Sequence, residues 1–179
     1  YLLKKEWYDV TAGFMINYLD EENPNCPTRE DIEVAREVAK FLDIPFFTFD
    51  YREEYEQKVL NYMYEWYRKW ITPNPDIMCN SEVKFRVFLD EALEAWFDKI
   101  ATGHYAQIRE NAWVYSLHKW KDPLKDQSYF LAGLEKSQLG KALFPIGDLE
   151  KKSVREIALE IGLPNAQRKD SQWICFVGK

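Results

Sequence analysis

A carboxylate and a thiol stand three residues apart in the stretch Thr72-Pro73-Asn74-Pro75-Asp76-Ile77-Met78-Cys79-Asn80. Each proline fixes its own φ and pushes the residue before it to extended geometry, so the spacing predicts a stiff, extended loop. That loop delivers Asp76 and Cys79 to the start of an apolar-periodic run, Val83, Val87, Phe88, Leu89 and Ala92. A thiol at a helix N-terminus is favoured as thiolate, and a nearby carboxylate can move protons. The same residues also read as a proline-capped helix start with a buried cysteine. The other cysteines are Cys26, in a loop without a motif, and Cys175, inside the apolar run Ile174-Cys175-Phe176-Val177 where a thiol is usually inert. Three cysteines so dispersed build neither a disulfide scaffold nor a zinc site, and a reducing cytosol is the default setting.

The elements that must position these groups alternate between strand and helix. Tyr8 to Ile16 reads as a buried parallel strand, and Ile44 to Phe49 as a second. Between them Thr28 is placed as the cap of a helix running to about Leu42, with Ile32, Ala35, Val38, Ala39 and Leu42 inward. A charged amphipathic helix is predicted over 52–69, and a short strand, Lys99 to Thr102, ends at Gly103-His104. Ala106 to Lys119 alternates as a hairpin turning around Glu110-Asn111. Helices follow over 127–134, 137–143 and 151–161, the last stopped by Gly162. Ile174 to Val177 closes as a strand. This order predicts an α/β domain with a parallel sheet, in which ligands bind beyond the carboxyl ends of the strands. Met15, Gly103 and His104 lie at such ends.

The chain has 179 residues and a net charge of −6, which argues against a generic basic nucleic-acid binder while leaving room for local patches. No run is long and apolar enough to span a membrane, and nothing reads as a signal peptide. One feature of composition is anomalous: seven tryptophans stand beside only seven glycines, where roughly 7% glycine is usual.

Five strings, TPNPDIMCNSEVKF, IATGHYA, KDQSYFL, LFPIGDLEKKSVREIA and GLPNAQRKDSQWICFVGK, occur in an order and spacing that resembles the bacterial tRNA-specific 2-thiouridylases. The resemblance implies a Rossmann-like parallel sheet of the PP-loop ATP-pyrophosphatase (adenine nucleotide alpha hydrolase-like) type, with a helical extension. It implies ATP-dependent thiolation at C2 of the wobble uridine of tRNA, with Mg2+ expected beside the ATP and a persulfide-bearing protein as sulfur donor. By the same resemblance Cys79 corresponds to the nucleophile, Cys175 to the persulfide carrier, the two ending as a disulfide, and Asp76 to the acid/base. Asn74, Pro75 and Asp76 match contacts to the target base. Met15 and Gly103 match nucleotide contacts, and His104, Lys125, Asp126 and Gln127 match tRNA contacts. Each has a plainer alternative: Met15 as core filling, His104 in a structural hydrogen bond, Asp126 as the N-cap of a solvated helix start. A non-catalytic RNA-binding fragment and another PP-loop ligase or amidotransferase are the competing functions, and the cysteine pair argues against the latter.

The chain departs from that family in two ways. A glycine-rich SGGxDS-type phosphate loop, which would hold ATP on backbone N–H groups, does not occur. Residues 1–179 therefore read as a partial catalytic domain, lacking the first strand and phosphate loop and the later RNA-binding and C-terminal barrel domains. The tryptophans are the second departure. Leu93-Glu94-Ala95-Trp96-Phe97 parallels Leu159-Glu160-Ile161-Gly162-Leu163, with Trp where a helix stop calls for Gly. Trp7 follows a helix end in the same way, and Trp66, Trp70, Trp113, Trp120 and Trp173 stand where helix ends, turns or the family pattern favour Gly. The expectation is that all seven are glycines in the native protein, written by one codon, UGA, with genuine tryptophans as the alternative.

Overall fold

The computed structural model describes residues 1–23, 26–122 and 125–169. Two units are formed: residues 1–55 with the described residues from Arg155 onward, and Glu56–Val154. The predicted strand at Ile174 to Val177 lies outside the described residues.

In the first unit, α1 (Leu2–Lys5) leads into β1 (Ala12–Ile16), which pairs in parallel with β2 (Phe46–Asp50), Met15 opposite Phe49. The strand expected from Tyr8 begins only at Ala12, because the preceding residues close a helix end instead. Between the strands runs α2 (Pro27–Phe41). Its first residue is a proline, whose missing N–H is no loss in a first turn, and the cap position falls to Cys26. Thr28 is therefore inside the helix, where its hydroxyl donates to Tyr18 O at 2.8 Å, correcting its assignment as cap. Arg168 reaches Asp31 at 2.6 Å and Glu30 at 3.4 Å in the first turn of α2. The helix expected over 52–69 is divided into α3 (Arg52–Tyr55), a π-helical turn (Glu56–Leu60) and α4 (Asn61–Arg68).

The second unit is organised around one continuous helical run. It comprises α5 (Pro75–Met78), a π-helical segment (Cys79–Val87) and α6 (Phe88–Glu94). Phe85, Leu89 and Ala92 from this run are buried against Ile100, Ala106, Leu131 and Ala142. β3 (Ile100–Ala101) pairs in parallel with β6 (Ala142–Leu143), while β4 (Gln107–Asn111) and β5 (Val114–His118) form the hairpin. Its turn is Ala112-Trp113, two residues beyond the expected position.

Three further expectations are corrected here. Residues 128–131 form a 3₁₀ turn, Ser128–Leu131, in place of a longer helix. The helix over 137–143 is only α7 (Lys136–Leu139), because Ala142 and Leu143 are drawn into β6. Among the described residues the strands pair as three two-stranded sheets, two of them parallel, so the α/β class holds without one continuous sheet. α8 (Lys151–Glu160) ends at Gly162 as expected. Among the described residues no helix is long and apolar enough to cross a membrane.

Candidate functional site

The Asn74-Pro75-Asp76 stretch is helical sooner than its prolines suggest. Asn74 is the cap, its Oδ1 accepting from Asp76 N at 3.1 Å and Ile77 N at 3.2 Å, and Pro75 sits buried at the first helical position. Proline is excluded from helix interiors but is favoured in that first turn, so the expected extended loop ends at Asn74. Asn74 thus spends its carbonyl on the helix and keeps its amide, which lies 3.5 Å from the Tyr129 hydroxyl. Asp76 is half-buried in the first turn. Burial raises its pKa above the ordinary carboxylate value, and the Lys84 ammonium opposes that rise.

Cys79, half-buried, opens the π-helical segment. In an α-helix, residues five apart diverge around the axis, whereas π hydrogen bonds run from i to i+5 and widen each turn. Asn80 is buried, donates from Nδ2 to Phe130 O at 3.3 Å, and accepts on Oδ1 from Lys84 Nζ at 2.8 Å. Ser81 Oγ donates back to Ile77 O at 2.9 Å. Phe85 is fully buried, and its carbonyl accepts from buried Gln138 Nε2 at 2.7 Å.

His104 follows β3 and packs its ring against Phe85 and Phe144, with centroids 5.8 and 5.7 Å away. Its Nδ1 lies 2.7 Å from the Thr102 hydroxyl. Burial, with Lys84 adding to it, lowers its pKa to about 3. His104 is therefore a neutral ring at neutral pH, able to hydrogen-bond or stack but not to meet a phosphate as a cation. Beside Gly103 the space that a Cβ would occupy is open, with nothing within 4 Å.

The expected tRNA-contact triplet is partly turned inward. Gln127 and Tyr105 exchange two hydrogen bonds, Tyr105 N to Gln127 Oε1 at 3.0 Å and Gln127 N to Tyr105 O at 2.9 Å. Asp126 accepts from Trp120 N at 2.8 Å, Ser128 N at 3.3 Å and Ser128 Oγ at 2.8 Å. Burial alone would raise its pKa, but these donors outweigh burial and hold it low. The residue before the 3₁₀ turn is Gln127, so Asp126 anchors that turn from one position further out than a cap. Lys125 is exposed.

The second unit contains Asn74, Asp76, Cys79, Gly103 and His104, and Lys84 acts electrostatically on both Asp76 and His104. Met15 belongs to the first unit, in the penultimate position of β1. Cys175 lies outside the described residues. Sequence reasoning missed Asn80 and Lys84. They follow Asp76 at i+4 steps and so share its helix face, but an amide and a lysine in a helical run carry no chemical signal of their own until their partners are seen.

A family model described as "tRNA methyl transferase HUP domain" matches residues 1–179. The chain is 48% identical over 179 residues to the tRNA-specific 2-thiouridylase MnmA of Nitrosomonas europaea, covering 99% of this chain and 49% of that protein. It is 47% identical over 179 residues to the protein of that name from Halalkalibacterium halodurans, covering 99% and 48%. Over 186 residues it is 49% identical to that of Flavobacterium johnsoniae, covering 100% and 47%. The chain therefore spans about half the length of the curated relatives it matches.

Proposed function

Because the chain belongs to the tRNA methyl transferase HUP domain family, we propose that it is the uridine-handling part of an ATP-dependent tRNA 2-thiouridylase. The observation that carries this reading is the placement of Asp76 and Cys79. A carboxylate with a raised pKa sits one turn before a half-buried thiol, on one helical run fixed by Asn74 and Asn80. A carboxyl whose proton affinity is raised by burial suits proton transfer at a uridine edge.

The substrate is a tRNA with a wobble uridine, and the sulfur comes from a persulfide-bearing donor protein in the cytoplasm. ATP, when bound, supplies the group that turns the C2 oxygen of uridine into a leaving group. Open space beside Gly103 suits an adenosine contact, and Mg2+ would accompany the phosphates.

Cys175 carries the persulfide, whose terminal sulfur bonds to C2 as the oxygen departs. Cys79 thiolate then attacks the Cys175 sulfur. The S–S bond to the uridine-bound sulfur breaks, the electron pair stays on that sulfur, and a Cys79–Cys175 disulfide forms, so that a reductant must restore the thiols. Asp76 relays the proton, and neutral His104, Lys125, Asp126 and Gln127 line the approach of the tRNA. The test is 2-thiouridine formation by the whole protein carrying Cys79→Ser or Cys175→Ser. Each substitution is expected to abolish turnover while tRNA binding persists, and near-normal turnover in either would overturn the reading.

A further inference from the structure

Seven tryptophans take no part in the proposed chemistry, and the backbone sorts them. Trp7, Trp70, Trp96 and Trp113 have φ of 65°, 60°, 67° and 65°. These residues are 94%, 97%, 94% and 86% exposed. At such φ a β-carbon crowds the neighbouring carbonyl, and glycine alone adopts it freely. A large apolar side chain is a poor occupant, and one extended into water has no burial to offset the strain.

Among the described residues the one glycine at positive φ is Gly162, at 69°. Its N–H bonds to Leu159 O, and the next N–H, of Leu163, bonds to Ala158 O. Three of the tryptophans repeat this pair of bonds. Trp7 N bonds to Lys4 O and Tyr8 N to Leu3 O, Trp70 N to Tyr67 O and Ile71 N to Trp66 O, and Trp96 N to Leu93 O and Phe97 N to Ala92 O. An apolar residue follows in every case, completing the Schellman helix stop that favours glycine. At Asp43, φ 50°, the same pair recurs, Asp43 N to Lys40 O and Ile44 N to Ala39 O, and aspartate is a short polar type that tolerates the region. Trp113 meets glycine's other preferred setting. It is the second central residue of a two-residue hairpin turn whose first, Ala112, also has positive φ, at 48°. That is type I′ geometry, in which glycine dominates the second place.

The remaining three are not selected by φ. Trp66 lies in the last turn of α4 and packs against Tyr62. Trp120 is buried over Tyr105, and its Nε1 has no hydrogen-bond partner, a misfit of a second kind. Trp173 lies outside the described residues.

We propose that all seven tryptophans of this sequence are glycines in the protein as its source makes it. The source would translate a single codon, UGA, as glycine where a different decoding reads tryptophan. The common residue at two unrelated glycine-demanding turn types, together with the glycine deficit, supports one decoding cause over separate substitutions.

Two measurements decide it. The coding DNA should carry UGA at all seven positions, and peptide mass spectrometry of the protein purified from its source should read glycine at each. UGG at any position, or tryptophan in any native peptide, overturns the proposal. Independently, the chain should be made in a host that inserts the written residue, once with tryptophan and once with glycine at 7, 70, 96 and 113. The glycine version is expected to have the higher denaturation midpoint. An equal or lower midpoint would overturn the backbone argument.

Discussion

At the scale of the residue, the site turns on one cation that faces two titrating groups. Lys84 is held by Asn80 and favours charge on Asp76 while disfavouring it on His104. Removing a positive charge raises the pKa of an acid and of a base alike. Lys84→Met should therefore move the Asp76 carboxyl and His104 ring titrations both upward in NMR, and Lys84→Arg should leave both near their starting positions. Opposite movements would mean that the substitution acts through repacking instead. Asp76→Asn keeps the shape and removes the proton. In the whole protein it should slow 2-thiouridine formation by roughly 10²–10⁴, the usual loss with a general acid or base. A single-turnover rate unchanged from the parent would return Asp76 to a helix-start residue.

At the scale of the element, the helical run from Pro75 to Glu94 depends on buried polar ties that no periodicity reveals. Asn80→Ala leaves the Phe130 carbonyl without its side-chain donor and frees the Lys84 ammonium, at a cost of about 1–3 kcal/mol. Denaturant unfolding reads that loss. The Schellman ends offer a reciprocal comparison. Gly162→Trp should cost about 1–2 kcal/mol, close to what Trp96→Gly gains, because the two stops share their hydrogen bonds. Strand and helix alternation, the hairpin and the Gly162 stop were legible in the sequence because each rests on local pattern or turn chemistry. The Pro75 helix start was missed because proline's exclusion from helix interiors was weighed above its preference for the first turn. The π-helical turns were illegible for a deeper reason. Groups of that segment bond to distant partners, Asn80 to Phe130 and Phe85 to Gln138, 50 and 53 residues along the chain, which local pattern does not report. Asp76, Cys79 and His104 could be named as candidates from the sequence, whereas the partners of Asn80 and Lys84 needed the structure.

At the scale of the whole molecule, the neutral His104 links the second unit's stability to acid. Its pKa falls from 6.5 to about 3 on folding, so between these values the unfolded chain binds more protons than the native one. Stability from this group is fully present above the unfolded pKa and is lost as pH falls through that window. The ring lies against Phe85 and Phe144 of the core, so protonation must place a charge beside apolar rings or expel it. Asp126, with its depressed pKa, contributes in the same sense at lower pH, because its carboxylate loses the bonds from Trp120 and Ser128 on protonation. Asp76 contributes in the opposite sense, since its raised pKa makes protonation favour the folded state and its contribution is lost as pH rises. The His104 shift is the larger, so the net expectation is destabilisation by a few kcal/mol between about pH 7 and pH 4. Urea unfolding across that range checks the slope. His104→Gln, which retains a polar group near Thr102 but cannot titrate, should flatten it. If the variant and parent lose stability in parallel, the acid sensitivity belongs to other groups and His104 is not buried neutral.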